Sequence, residues 1–334
     1  MSNDGLGSWS TLNASLEDIA AEDETDLTPQ NGFDNELSPY SIADILIPIL
    51  LISILLISIF GIIGNGTVIW FLGFCMKRNP FTTFILHLAA ADLGALICLF
   101  TFSIIYPLRS FLSLTPYMHL ILLLGFILFF FMYNTGQYLL TAISMDRCVS
   151  VVFPLWHRCH RPPHFSTLVC ATIWITSFLL IAINLIVAYF TGPRYTALFH
   201  FLLNAILCLP LMTVSTLVLF RKVYLRSQQR KKGKAVTAIL LALLFFLFLA
   251  FPFSCISLIG FFPLVIDDKM QFVAILVGLL CSCLNSSINP LIYFLIGRNK
   301  RAQSRESMKV ILQRLFKEEE NCREEQEVPA QTRM

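Results

Sequence analysis

The fold is decided by one stretch, Tyr133-Asn-Thr-Gly-Gln-Tyr-Leu-Leu-Thr-Ala-Ile-Ser-Met-Asp146-Arg147-Cys148. An apolar run that begins near Tyr117 continues through this stretch and ends at the acid–base pair. Charges at the end of a membrane-length apolar helix are costly unless they lie at the interface or face a hydrated cavity. Phe129 precedes Arg147 by roughly 27 Å along such a helix. The stretch therefore predicts a membrane-spanning helix that joins an aromatic region to an arginine at its end.

The whole chain holds seven apolar runs of the length that crosses a bilayer, about 20 residues each. We place them at about 45–75, 81–106, 117–152, 164–190, 197–224, 233–263 and 271–296. Hydrophobic residues make up 56% of the 334 residues and charged residues 13%, about half the share of a globular domain. The connections are short. The sequence therefore predicts an all-α membrane protein, a seven-transmembrane helix bundle over 45–296.

The basic residues fix an expected orientation. Of the 24 Lys and Arg, all but Arg109, Arg194 and Lys269 fall in the connections and tail on one side of the predicted membrane. Cytoplasmic loops carry such an excess of basic residues. We therefore expect a multi-pass protein of the plasma membrane whose N-terminus is extracellular.

Both ends of the chain differ from the bundle. Residues 1–44 hold ten acids and no Lys or Arg, which predicts a disordered extracellular tail. Asn13 begins an Asn-Ala-Ser glycosylation acceptor in that tail. Residues 297–316 read as an amphipathic helix with basic residues outside its apolar stripe, so we expect it to lie on anionic membrane lipid at the cytoplasmic face. Residues 317–334 form the cytoplasmic tail.

Asp92 is the one acid placed deep inside a predicted span. An ionisable group at that depth is expensive and by default functional. Its expected partners are the mid-span polar residues Asn65, Asn285, Ser286 and Asn289. This polar core is expected either to hold the helices together or to rearrange as a switch, and the two roles are compatible.

Landmarks in these spans together resemble one family. Those landmarks, in order, are Gly64-Asn65, Leu88 with Asp92, Asp146-Arg147-Cys148, Trp174, Pro210, Pro252 and Asn289-Pro290-Leu-Ile-Tyr293. The chain resembles a rhodopsin-type (class A) G-protein-coupled receptor over roughly residues 45–316. Three local stretches resemble the Mas-related branch, and Mas-like members above all: residues 77–81, 133–144 and 158–162.

The resemblance implies roles for several of these residues. Arg147 of the Asp146-Arg147 pair would insert toward a heterotrimeric G protein, Gq or Gi by analogy. Pro252 would be the pivot of the sixth span, and Tyr293 would swing inward to hold the open form. Asn289 and Pro290 complete the coupling and switch residues.

Three positions depart from the family's pattern. Gly136 stands where a sodium-coordinating serine is usual, which puts sodium binding at Asp92 in doubt. Lys232 stands where some relatives carry an acid that locks the arginine, so that lock is absent. Val218 replaces a tyrosine that often supports the active arginine.

The ligand region is expected at the extracellular side. Phe129 occupies the position at which amine-binding relatives in the resembled family carry an acid. Phe129 and Tyr133 are candidates for lining an apolar pocket. Asp267 and Asp268, together with the acidic tail, make the entrance negative. Long-range attraction would draw in a basic peptide, although a merely solvated tail would look the same.

Other classes of function remain as alternatives. A receptor that acts without ligand, or as a modulatory subunit, is favoured by the absent lock. A transporter is a remote alternative because no internal repeat is present. Enzyme motifs such as His-Glu-x-x-His and Gly-x-Ser-x-Gly are missing from the sequence, so we expect no enzyme. We also expect no cofactor, no metal site and no nucleic-acid partner.

Overall fold

The computed structural model describes residues 42–76, 79–108, 115–153, 164–191, 208–226 and 268–297, with the isolated residues 162, 206 and 249. These residues form six α-helices and a π-helical turn, and no strand occurs among them. The helices are α1 (Ile42–Trp70), α2 (Pro80–Leu108), α3 (Thr115–Val152), α4 (Phe165–Thr191), α5 (Leu209–Arg226) and α6 (Asp268–Gly297). The π-helical turn, Phe71–Cys75, continues α1.

Five of the described helices, all but α5, are long and apolar enough to cross a membrane. They correspond to the first four and the seventh predicted spans, and α5 covers the second half of the predicted fifth. The predicted sixth span, at 233–263, lies outside the described residues, apart from residue 249. So do the amphipathic helix beyond residue 297 and nearly all of the two predicted tails.

The first helix begins three residues earlier than the sequence-based boundary at 45. Asp44, assigned to the acidic tail, lies in the first turn of α1. An acid is favourable there because the N-terminal end of a helix carries partial positive charge. Its Oδ1 accepts a hydrogen bond of 3.2 Å from the Lys269 ammonium at the start of α6.

The start of α2 is built by Asn79-Pro80-Phe81-Thr82. The Asn79 side-chain oxygen accepts from the backbone N–H groups of Phe81 and Thr82 at 3.1 and 2.7 Å. The Thr82 hydroxyl lies 2.9 Å from the Asn79 backbone N–H, which donates to it. Pro80 at the first helical position has no N–H to satisfy and a φ already suited to the helix. This reciprocal cap fixes where α2 begins.

Helices α1 and α6 approach each other closely along a seam of small residues. A Cβ atom added to Gly61 would overlap the Ser287 hydroxyl and lie 2.7 Å from Leu96 Cδ1. A Cβ on Gly64 would lie 3.0 Å from Cβ of Pro290. The Ser287 hydroxyl donates across the seam to the Ile57 carbonyl at 3.3 Å. Glycine is required here because the neighbouring helix occupies the space a side chain would need.

Two apolar clusters fill the described bundle. One lies toward the end that carries Arg147, called here the arginine end, and includes Phe81, Phe84 and Tyr293. The other lies toward the opposite end and includes Phe129 and Tyr133. Buried polar residues separate the two clusters along the helices, and they form the core of the candidate site.

Candidate functional site

Asp92 and Asn289 join α2 to α6 at mid-bundle. The Asn289 amide donates to Asp92 Oδ2 at 2.9 Å, and both residues are buried. In an interior of low dielectric, a hydrogen bond to a carboxylate is stronger than in water, and its loss leaves a buried polar group unsatisfied. The contact is therefore a strong tie between these two helices.

Asn65 joins α1 to the same part of α6 by a different route. Its amide donates to the carbonyl oxygens of Gly61 and Ser286, each at 3.0 Å. Ser286 lies four residues before Pro290, and a proline has no N–H to bond the carbonyl of that residue. The Asn65 amide thus satisfies the carbonyl that Pro290 leaves open, and Gly64 leaves room for the proline ring.

On α3, Gly136 lies against this polar layer, which consists of Asn65, Asp92, Ser286 and Asn289. A Cβ atom on Gly136 would lie 3.7 Å from Asp92 Oδ1, an ordinary contact distance. Gly136 therefore faces the carboxylate but offers it no side-chain oxygen. Asn285 is also buried at this level of α6. The structure brings Asn65, Asp92 and Asn289 into two bonded groups, while their role as a switch stays a prediction.

Arg147 lies near the end of α3, with its side chain 11% exposed. One guanidinium nitrogen is 3.4 Å from the Asp146 carboxylate. On another side, the guanidinium carbon lies 3.9 Å from the centroid of the Phe81 ring at the start of α2. This is a cation–π contact, in which the negative face of the ring attracts the cation.

The structure describes some of the other residues that were predicted to act in the switch. Tyr293 is 4% exposed and belongs to the apolar cluster at the arginine end. Pro290 lies inside α6. Pro252 and Lys232 lie outside the described residues.

The predicted ligand residues Phe129 and Tyr133 are both buried, and their rings stack with centroids 5.7 Å apart. Phe129 lines a crevice between α2 and α3 whose cavity volume is about 20 Å³, room for roughly one water molecule. Its other walls include Cys98, Leu99, Phe102, Gly125, Phe126 and Leu279. Tyr133 lies one turn deeper than these walls.

The polar residues predicted to bind ligand or carry a glycan are Asp267, Asp268 and Asn13. Asp268 is the first residue of α6, and nothing further is described for its side chain. Asp267 and the glycosylation candidate Asn13 lie outside the described residues.

Sequence reasoning missed Phe81 and a second contact between helices. The Trp174 indole N–H donates to His87 Nδ1 at 3.2 Å and joins α4 to α2. Phe81 had a usable signal, because Asn79-Pro80 marks a helix start and places the next residue at the level of Arg147. The signal for His87 was weaker, since a histidine inside a span indicates a polar partner without naming it.

Comparison with known proteins defines the class of protein to which this bundle belongs. The family described as "7 transmembrane receptor (rhodopsin family)" matches residues 64–293. That range contains the polar layer, Arg147 and Tyr293, and it spans the residues between the described helices. The fold is a seven-helix bundle.

Individual relatives narrow the class. Proto-oncogene Mas of Rattus norvegicus is 38% identical over 281 residues, which cover 82% of this chain and 85% of the relative. Mas-related G-protein coupled receptor member H of Mus musculus is 36% identical over 265 residues, 77% of this chain and 80% of the relative. Mas-related G-protein coupled receptor member X1 of Homo sapiens is 33% identical over 307 residues, 88% and 90%. The chain belongs to the Mas-related branch of the rhodopsin family of seven-transmembrane receptors.

Family membership settles the broad function. The chain is a multi-pass membrane receptor, not an enzyme, and it signals from an extracellular ligand to a G protein. These conclusions confirm the class, the fold and the general activity expected from the sequence.

Proposed function

We propose that this receptor lies in the plasma membrane with its N-terminus outside and couples a basic peptide ligand to Gq or Gi through Arg147. The observation that carries this proposal is the buried Arg147 at the end of α3, the helix that also carries Phe129. The excess of Lys and Arg on the arginine side supports a cytoplasmic position for that end. The family match favours a receptor over the transporter considered from sequence.

The third helix supplies a continuous route between the two ends. Phe129, Tyr133 and Gln137 follow one another at intervals of four residues, and all three are buried. The polar layer around Asp92 comes next along this route, and the apolar cluster at the arginine end follows it. A ligand shifts the receptor toward an active form only by binding that form more tightly. Packed helices with discrete arrangements can carry that difference from one end to the other.

The burial of Arg147 supports its proposed role as the group that meets the G protein. In the structure its side chain is held by Asp146 and Phe81 and is mostly removed from solvent. A partner that binds this arginine must therefore draw it out. Asn289, Pro290 and Tyr293 on α6, with Pro252 on the sixth span, are the proposed moving parts. The buried residues Asn65, Asp92 and Asn285 are the proposed polar core.

The segments beyond the described residues have proposed roles of their own. The acidic tail that precedes α1 is extracellular, with a glycan at Asn13. The helix at 297–316 lies on the inner leaflet, and residues 317–334 form the cytoplasmic tail. Asp267 and Asp268 contribute negative charge at the entrance to the ligand site, which also includes Phe129 and Tyr133.

The first experiment measures basal inositol phosphate and cAMP for the wild type and for Arg147→Ala at matched surface expression. We expect wild-type output above that of mock-transfected cells, and its loss in Arg147→Ala. Lys269→Ala, a basic residue at the opposite end, is the matched control and should signal like the wild type. Output that is present in all three proteins would refute the role of Arg147.

The ligand proposal has a separate test. Cationic peptides that activate the wild type should lose potency on the double variant Asp267→Asn/Asp268→Asn, because the attraction at the entrance is removed. The loss should shrink at high ionic strength, where exposed charges are screened. Unchanged potency would refute a role for these two aspartates.

A receptor that signals without ligand, or that modulates another receptor, is the second candidate. Lys232 favours it, because the acid that locks the arginine in some relatives is absent. High basal output that no peptide raises would select this candidate.

A further inference from the structure

The Phe81 ring lies directly under the guanidinium of Arg147. We propose that Phe81 is a positioning residue, an aromatic seat that holds Arg147 in the resting receptor and so limits basal signalling. This inference rests on the proposed role of Arg147 in coupling. Lys232 stands where some relatives carry an acid that locks this arginine. In this chain the proposed restraint comes instead from Phe81 on α2.

The contact has the geometry of a strong cation–π pair. The guanidinium carbon is 3.9 Å from the ring centroid, within the limit of about 6 Å for such contacts. Phe81 is 5% and Arg147 9% exposed, so little water competes for the cation. Exclusion of water strengthens cation–π attraction. Asp146 completes the surroundings with its carboxylate 3.4 Å away.

The seat is fixed independently of the arginine. Phe81 follows Pro80 in the first turn of α2, and its backbone N–H is bonded to the Asn79 side chain. Its ring belongs to the apolar cluster at the arginine end. Movement of α3 would therefore carry Arg147 off a ring that stays in place.

The local charge explains why an aromatic residue suits this position. The first turn of α2 carries partial positive charge from its backbone N–H groups, which disfavours a nearby guanidinium. An aliphatic side chain at 81 would contribute nothing against that repulsion and would leave the Asp146 carboxylate to offset it. The electron-rich face of the ring offsets it, so the restraint depends on the ring's electrons rather than on its volume.

The test replaces Phe81 with phenylalanines carrying one, two and three ring fluorines, in the full-length receptor in cells. Fluorine withdraws electron density from the ring face while changing its size little, so folding is preserved. We expect basal output to rise with each fluorine, by roughly two- to tenfold in total, as a cation–π contact weakens. The rise should vanish in the Arg147→Ala background.

The same fluorine series at Phe84 is the matched control. Phe84 lies three residues further along α2 and is buried in the same apolar cluster. We expect no trend there. A flat or falling series at Phe81 would overturn the proposal. So would equal rises at both positions, because a response to general loss of packing would not depend on the ring over the arginine.

A second measurement separates this inference from the proposed function. In purified receptor, the ¹⁹F resonance of 4-fluorophenylalanine at position 81 should move in Arg147→Gln, while the same probe at position 84 should not. If no variant signals, with or without a cationic peptide, the proposed function fails, and the resonance still reports on the contact between Phe81 and Arg147. A resonance at 81 that is unmoved by Arg147→Gln would overturn the seat.

Discussion

Two of the contacts that hold helix α2 differ in kind. At mid-bundle, Asp92 accepts a buried hydrogen bond of 2.9 Å from Asn289, beside a seam where α1 and α6 nearly touch. At its start, α2 meets α3 through a guanidinium that lies over the Phe81 ring. Hydrogen bonds are strongly directional and costly to leave unmade, whereas a cation over a ring tolerates small displacements. We therefore expect the mid-bundle contacts to cost more free energy to break than the contact at the arginine end.

The largest expected effect on stability comes from a substitution that forces α1 and α6 apart at their seam. Gly61→Val places a branched side chain where the Ser287 hydroxyl and the Leu96 side chain already lie. Overpacking of this kind lowers the free energy of unfolding by up to about 3 kcal/mol. Thermal unfolding of the purified receptor in detergent measures the loss.

Gly66→Val is the matched control for that substitution. Gly66 lies on the same helix, and a Cβ atom there would meet no described atom within 4 Å. Its unfolding temperature should stay near that of the wild type. Equal losses in the two variants would mean that the seam is looser than the structure indicates.

Asp92→Ala tests the bond at mid-bundle. The substitution leaves the buried Asn289 amide without the carboxylate that accepts its hydrogen bond. Leaving a buried donor unsatisfied costs about 1–3 kcal/mol, and we expect a loss near the middle of that range in the unfolding experiment.

Asp92→Asn provides the comparison, because its side-chain oxygen still accepts a hydrogen bond from Asn289. It should lose clearly less stability than Asp92→Ala. If both variants are as stable as the wild type, the contact does not hold α2 to α6.

The contact between Asn65 and the Ser286 carbonyl can be isolated by a double-mutant cycle with Pro290. Asn65→Ala alone should cost at least about 1 kcal/mol, since it removes the hydrogen bonds to the Gly61 and Ser286 carbonyls. In the Pro290→Ala background the cost should fall, because residue 290 then has a backbone N–H for that carbonyl. Chemical or thermal unfolding of the four proteins gives the coupling energy. A coupling of zero would show that Asn65 does not compensate for the proline.

The mid-bundle was also more predictable from the sequence than the arginine end. The lengths of the spans follow from the thickness of the bilayer. Buried polar residues in an apolar span need polar partners, so Asn65, Asp92 and Asn289 could be grouped from the sequence. The particular bonds could not. Asn65 donates to the backbone carbonyl of Ser286, and a pattern of side chains does not identify a backbone acceptor. The signal for this acceptor is Pro290, which lies four residues after Ser286 and leaves its carbonyl without an N–H partner.

The arginine end was harder to predict for a physical reason. A cation–π contact needs an aromatic residue of any kind at the right height on another helix, and this chain has 30 phenylalanines to choose from. Only the cap formed by Asn79 places Phe81 at the level of Arg147. The start of α1 at Ile42 was missed because Asp44 was assigned to the acidic tail by its charge, although a helix N-terminus favours that charge.

The smallest expected effect concerns the exposed ion pair between Asp44 and Lys269, which joins the first turns of α1 and α6 at the end opposite Arg147. The charged atoms are 3.2 Å apart, but the two side chains are 38% and 58% exposed. Solvent screens such pairs and ordering the side chains costs entropy, so Lys269→Met should change the free energy of unfolding by no more than about 0.5 kcal/mol. Unfolding at low and at high salt checks this, and the small difference should vanish at high salt. A loss as large as that of Asp92→Ala would mean that α1 and α6 are held at their exposed ends as firmly as along the seam, which would contradict the contrast between a strongly bonded middle and more weakly bonded ends.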